Sequence, residues 1–212
     1  MRFDELLSQC GTLPWFDYQT VLLLFPEGEE SVRTSLYRHR RGGRVIELRR
    51  GFYAFAERYR PSSLPAPALA GILHAPSYLS ELWALSWHGI IPEKAVIMTS
   101  VSPKPPATYD NAFGSYRYRS IKQALFWGYK KESIVGADVR IATPEKALID
   151  LWHLEHGEWD EERLESMRIE TRALDVAQVA AHARRSGSPR LLRAASALAR
   201  LASSSMEGDE QL

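Results

Sequence analysis

Nine arginines crowd residues 31–60 and carry the most distinctive chemistry in the chain. Arg33, Arg38, Arg40, Arg41, Arg44, Arg49, Arg50, Arg58 and Arg60 face only Glu47 and Glu57, nine against two, a local net of +7 in a chain whose total is +1. None of the nine is Lys. A guanidinium is planar, permanently charged and forked, which suits a phosphate or the O6/N7 edge of guanine. Concentrating one sign of charge in this way is the electrostatic footprint of a phosphate-binding surface. The alternative, a solvated helix with arginines chosen for solubility, gives no reason for Arg over Lys.

Other candidate chemistry is thinner. Asp138, Glu145, Lys146 and Asp150 could supply the carboxylates and lysine of a metal-dependent nuclease. Glu145 and Lys146 are adjacent, however, and on a helix they would point about 100° apart rather than to one side. His153 and His156 stand three apart with no third metal ligand suggested. Ser80, Ser86 and His88 lack a GxSxG elbow and an acid partner, and His74 and His88 read as capping or packing residues. There is no Walker loop and no GxGxxG. The expectation is a binding protein, with no catalytic residue, no metal and no cofactor.

The elements that would carry the arginines are legible. A helix over about 30–41 would place Val32, Leu36 and His39 on one side and Thr34, Tyr37, Arg38 and Arg41 on the other, with Arg33 and Arg40 flanking the seam. Gly42 and Gly43 stop it after an arginine-rich last turn. Two apolar runs, 44–48 and 52–55, follow around Arg49, Arg50 and Gly51, which suits a hairpin turn. Before them, 3–10 has helical spacing at Phe3, Leu6, Leu7 and Cys10, and a second helical pattern covers 16–25 before Pro26. Three helices and a hairpin are the order of a winged helix-turn-helix. Residues 1–30 hold six acids against Arg2, on faces turned away from DNA or at a helix amino end.

The stretch 60–67, RPSSLPAP, is the linker candidate. Beyond it the chain is neutral to acidic and rich in tryptophan. The patterns predict a helix at 68–73, a helix within 77–89 capped by Ser77 or Ser80, strands at 95–101, 114–121 and 139–142, and a helix capped by Thr143 with Pro144 first. Trp83 and Trp87 would share a face. Helices are expected at about 160–167, 175–185 and 188–202, the last carrying Arg193 and Arg200 on one side, and 203–212 is expected to be disordered. The predicted fold is therefore mixed α/β (α+β). An amino-terminal winged helix-turn-helix at 1–60 precedes a mixed α/β domain with C-terminal helices at 67–203 and a tail at 204–212. With Cys10 alone no internal disulfide can form, and no basic leader or run of about 18 apolar residues is present. A cytoplasmic protein without membrane contact is expected.

Four segments in consistent order, LRRGFYAF, PSYLSELWALSWHGII, FGSYRYRSI with FWGY, and VRIATPEKALIDLWHL, resemble the AbiEi-type antitoxins, also described as predicted transcriptional regulators of viral defence systems. The resemblance implies an amino-terminal winged helix that binds operator DNA and represses its own operon, and a larger domain responsible for antitoxicity. It also implies, as functional partner, a nucleotidyltransferase-like toxin encoded alongside, in a type IV system where the antitoxin need not bind the toxin. A solitary regulator would carry the same motifs. DNA contacts are expected from Arg33, Thr34, Tyr37, Arg38, Arg40, Arg41, Arg44, Arg49 and Arg50. Two copies, as a homodimer or cooperatively on operator repeats, would supply enough of them. Competing readings are a module that binds a toxin directly through its Trp-rich half, and a metal-dependent nuclease.

Overall fold

The computed structural model describes residues 1–209, with side chains described through Ser204. The first helix, α1 (Phe3–Cys10), buries Phe3, Leu6 and Cys10 as its spacing requires. Phe16 and Asp17 then form a short strand, β1 (Phe16–Asp17), where helical periodicity predicted the start of a helix. Asp17 explains the difference. Its carboxylate accepts the Thr20 N–H at 2.7 Å, which makes it the cap of α2 (Tyr18–Leu24) and leaves Phe16 extended to pair with Tyr53.

The arginine helix, α3 (Glu29–Arg41), buries Val32, Ser35, Leu36 and His39 and ends at Gly42. The hairpin follows as β2 (Val45–Arg49) and β3 (Phe52–Phe55). Gly51 makes the turn with φ +78°, a conformation that strains any residue with a Cβ. Together with β1 they form an antiparallel sheet in the order β1-β3-β2. Val45, Tyr53 and Phe55 on one face close a small core with α1, α2 and α3.

The opposite face of this sheet is covered by the rest of the protein. Ile46, Leu48, Phe52 and Ala54 belong to the second, larger core. Leu64, in the stretch expected to be a linker, is buried in that core too, and the Arg60 guanidinium lies 5.2 Å from the Phe113 ring centre. Pro61, Ser62 and Ser63 between them are exposed, so the stretch is anchored at Arg60 and Leu64 rather than an open tether. The two halves share a hydrophobic contact.

The larger half begins with α4 (Ala66–Leu73), then β4 (Tyr78–Leu79), α5 (Glu81–Trp87) and β5 (Met98–Ser102). Strands β6 (Ala107–Asn111), β7 (Gly114–Ser120), β8 (Tyr129–Ile134) and β9 (Ala137–Ala142) complete a six-stranded sheet in the order β6-β7-β5-β4-β9-β8. It is mixed: β5 with β7 and β4 with β9 run parallel, the remaining neighbours antiparallel. The Tyr116 and Tyr118 hydroxyls donate to the Ala66 and Ala70 carbonyls at 3.1 and 2.7 Å, which pins α4 to one face. Helices α6 (Pro144–Leu154), α7 (Glu161–Ser166), α8 (Val176–Ser186) and α9 (Pro189–Asp209) finish the chain. The architecture is mixed α/β with C-terminal helices, as the sequence predicts.

The differences have local causes. Ser80 stands at the cap position of α5, but its hydroxyl donates to Asp150 at 2.7 Å instead of serving the helix end. The last helix runs to Asp209, past the predicted end at Ala202. Ser203 and Ser204 continue it by donating back to the Ala199 and Arg200 carbonyls at 3.0 and 3.1 Å. Of the tail expected to be disordered, residues 210–212 lie outside the described residues, and 204–209 are helical. No described helix is long and apolar enough to cross a membrane.

Candidate nucleic-acid interface

At 100° per residue, Thr34, Tyr37 and Arg41 occupy the crest of α3, opposite buried Val32, Ser35 and His39. Arg33 and Arg40 lie on the side toward the hairpin and Arg38 on the side toward α1. All six of these side chains are exposed. The buried row, sealed against α1 and the sheet, is what holds the crest outward. His39 in that row sits 5.5 Å from the Phe3 ring, and burial holds its imidazole below the usual histidine range, with the cations Arg44 and Arg38 adding to the effect. A neutral ring suits an apolar seam.

Between α3 and the hairpin lies a cleft of about 400 Å³ lined by Tyr18, Arg33, Tyr37, Arg40, Arg50 and Tyr53, with Glu47 on one wall. Arg40 is ion-paired to Glu47 there. The Arg33 guanidinium lies 6.0 Å from the Tyr18 ring centre and that of Arg40 5.7 Å from Tyr37, so aromatic faces orient both without neutralising them. On the far side of α3, Arg44 lies 5.2 Å from the Phe3 ring centre and Arg38 donates to the Thr34 carbonyl at 3.5 Å. Arg41 and Arg50 make no side-chain hydrogen bond, ion pair or ring contact among the described residues. Sequence reasoning missed Tyr18 and Tyr53; nothing in their spacing distinguishes them from core residues.

Arg49 departs from expectation. The hairpin register runs Val45 with Phe55, Ile46 with Ala54 and Glu47 with Tyr53, then skips Leu48 and resumes with Arg49 opposite Phe52. One extra residue in a strand reverses the faces beyond it. Simple alternation would put Arg49 beside Val45 and Glu47, on the α3 side. The bulge puts it beside Phe52, on the side of the larger half, with its guanidinium 3.5 Å from that ring and its Nε buried. Trp15 stacks on Phe52 at 5.5 Å and completes the layer. Of the nine predicted contact residues, eight lie on or beside the exposed surface of α3 and the hairpin, and Arg49 faces away from it.

The cations of the larger half are mostly committed. Arg119 pairs with Glu81 at 2.8 Å and with Glu155 at 2.5 Å, and Arg168 pairs with Glu93. Arg163 and Arg190 donate to backbone carbonyls. The basic face expected from Arg193 and Arg200 is neutralised by Glu158 and Glu161 at 2.7 and 2.5 Å. Of the exposed arginines between 33 and 58, only Arg40 has an acid partner among the described residues.

The residues weighed for catalysis do not assemble into an open site. Asp138 is exposed and paired with Lys131 at 3.3 Å, and Glu145 accepts the Asp175 N–H at 3.4 Å. Lys146 and Asp150 are ion-paired one turn apart on α6 and fully buried. Asp150 also accepts the hydroxyls of Tyr78 at 3.0 Å and Ser80 at 2.7 Å. Burial pushes the Asp150 carboxyl up and the Lys146 amine down, while each draws the other back. Gly128 makes room for the lysine, since a Cβ there would stand 2.8 Å from Lys146 Cγ. This cluster ties α6 to β4.

Next to it is Glu81, the first residue of α5, 2% exposed and held at φ +52°. Burial pushes its carboxyl up to about 7, with Arg119 opposing. Ser86 accepts the Ala95 N–H at 3.2 Å, His88 Nε2 donates to the Ala142 carbonyl at 2.8 Å, and His74 packs 4.8 Å from the Tyr118 ring. His153 is half-buried and His156 exposed, and among the described residues no three His, Cys, Asp or Glu side chains are arranged to hold a metal. No protein-family model and no curated protein matches the chain.

Proposed function

We propose that α1, α2, α3 and the β2–β3 hairpin act as a winged helix-turn-helix that binds duplex DNA. The observation that carries this reading is the crest of α3. It presents Thr34, Tyr37 and Arg41 outward, flanked by Arg33, Arg38 and Arg40, with Arg44 and Arg50 at its margins and one acid partner among them. A helix of 13 residues with a buried row on its back is the right size and stiffness to enter a major groove. Thr34, Tyr37 and Arg41 would read base edges. Arg33, Arg38, Arg44 and Arg50 would hold phosphates on either side. Arg40 would act more weakly, because Glu47 already claims it.

The resemblance to AbiEi-type antitoxins extends the proposal to a regulator that binds operator repeats, represses its own operon and serves as the antitoxin of a type IV toxin-antitoxin pair. One module makes few base contacts, so two copies would share an operator. The test is protection of the chain's own promoter in a footprint, together with relief from the toxicity of a nucleotidyltransferase-like neighbour on co-expression. A promoter left unprotected at concentrations that saturate random DNA would refute the regulator. A second reading has one observation in its favour: Trp87, Leu82 and Val96 on and after α5 are 48%, 44% and 83% exposed. Exposed apolar side chains of this kind suit a protein partner. Co-purification of the neighbour's product with this chain, lost in Trp87→Ser, would support it.

A further inference from the structure

The bulge that turns Arg49 away is held from outside the module that contains it. Leu48 has no partner in the strand register, and the Asn111 amide, at the end of β6 in the larger half, donates to its carbonyl at 3.0 Å. The other end of the same amide accepts the Phe113 N–H at 2.8 Å, so the side chain is oriented by its own turn before it reaches the hairpin. Leu48 itself is 1% exposed in the larger core, and Arg49 closes over Phe52 beside it.

We propose that Asn111 is a positioning residue for the DNA-binding wing. By holding the bulged register, it keeps Arg49 on the larger half and leaves Arg50 as the single arginine that the hairpin tip offers to a phosphate. The number of wing cations that reach DNA is then set by the second half of the chain, 63 residues away in sequence from the carbonyl that it holds. This rests on the DNA-binding reading for its consequence and on the hydrogen-bond geometry for its cause.

Asn111→Ser separates the two bonds, because a serine hydroxyl can still accept the Phe113 N–H but is too short to reach Leu48. The full chain carrying it would show faster amide hydrogen exchange across 45–55, with 29–41 unchanged. Its log affinity for random duplex against log salt would be steeper by about 0.9, one added phosphate contact, as Arg49 swings to the α3 side. Adding Arg49→Ala would return the slope to that of wild type, which a merely structural loss would not do. Asn111→Ala, should the serine variant fold poorly, predicts the same pattern. Unchanged exchange over 45–55 would overturn the clamp whatever the DNA result. Faster exchange with an unchanged or shallower slope would overturn the role of Arg49. Absence of salt-dependent binding in wild type would instead refute the DNA reading, and with it the role given to the clamp.

Discussion

Arg41→Ala is the sharpest single perturbation of the proposed reading face. Arg41 is exposed on the crest of α3 and makes no side-chain hydrogen bond, ion pair or ring contact among the described residues, so its removal should leave folding within about 0.5 kcal/mol of wild type. Whatever is lost must be lost in the complex. A bidentate contact to a guanine edge accounts for about 1–3 kcal/mol, which is roughly 5- to 150-fold in Kd. On a random duplex the same arginine can only meet phosphates, and the loss there should be a few-fold at most, with a shallower salt slope. Arg40→Ala is the control. It removes a cation already paired with Glu47 and leaves that carboxylate facing the DNA, so affinity should fall equally on both duplexes. Fluorescence anisotropy with labelled promoter and random duplexes at one salt concentration distinguishes the two variants. Equal losses on both duplexes for Arg41→Ala would refute its base-reading role.

Arg50→Ala should flatten the slope of log affinity against log salt by about 0.9, whereas Arg49→Ala in the otherwise wild-type chain should leave it unchanged; the reverse ranking would place Arg49 in the interface. Glu81 titrates at about 7 when folded and at the ordinary carboxylate value of 4.5 when unfolded. Between those values the unfolded chain releases a proton that the folded one keeps, so stability falls as pH rises through that window and levels off above it. The full loss is on the order of 3 kcal/mol, and Glu81→Gln should remove most of it, read as the difference in urea midpoints of the two proteins across the window. Lys146→Met leaves Asp150 buried with two hydroxyl donors and no cation, a loss of about 3–5 kcal/mol by denaturant unfolding. Restoring the loss with Asp150→Asn in the same chain would show that the charge, not the packing, was responsible.

Much of the fold can be read from local signals. Thr143 followed by Pro144 marks the start of α6, and the Thr143 hydroxyl does accept the Lys146 N–H at 3.3 Å. The buried and exposed rows of α3 follow directly from its period. What escapes depends on distant partners. β6 begins just after Pro105 and Pro106, and β8 carries Lys130, Lys131 and Glu132, because each is an edge strand with one neighbour and a wet side. Leu64 looks like a lone apolar residue among prolines until the larger core receives it. Likewise Arg49 and Arg50 are equivalent in sequence. A single skipped residue at Leu48, held by an asparagine in the other half, sends them to opposite sides of the sheet.

The most direct test of the central claim is the salt dependence of binding to a random duplex by the wild-type chain. The four phosphate-holding arginines of each copy, Arg33, Arg38, Arg44 and Arg50, joined on a random duplex by Arg41, predict a slope near −4.5 in log affinity against log salt, since each contact contributes about −0.9. A slope near zero, or one unchanged when all four are replaced by alanine, would contradict the assignment of this face to DNA.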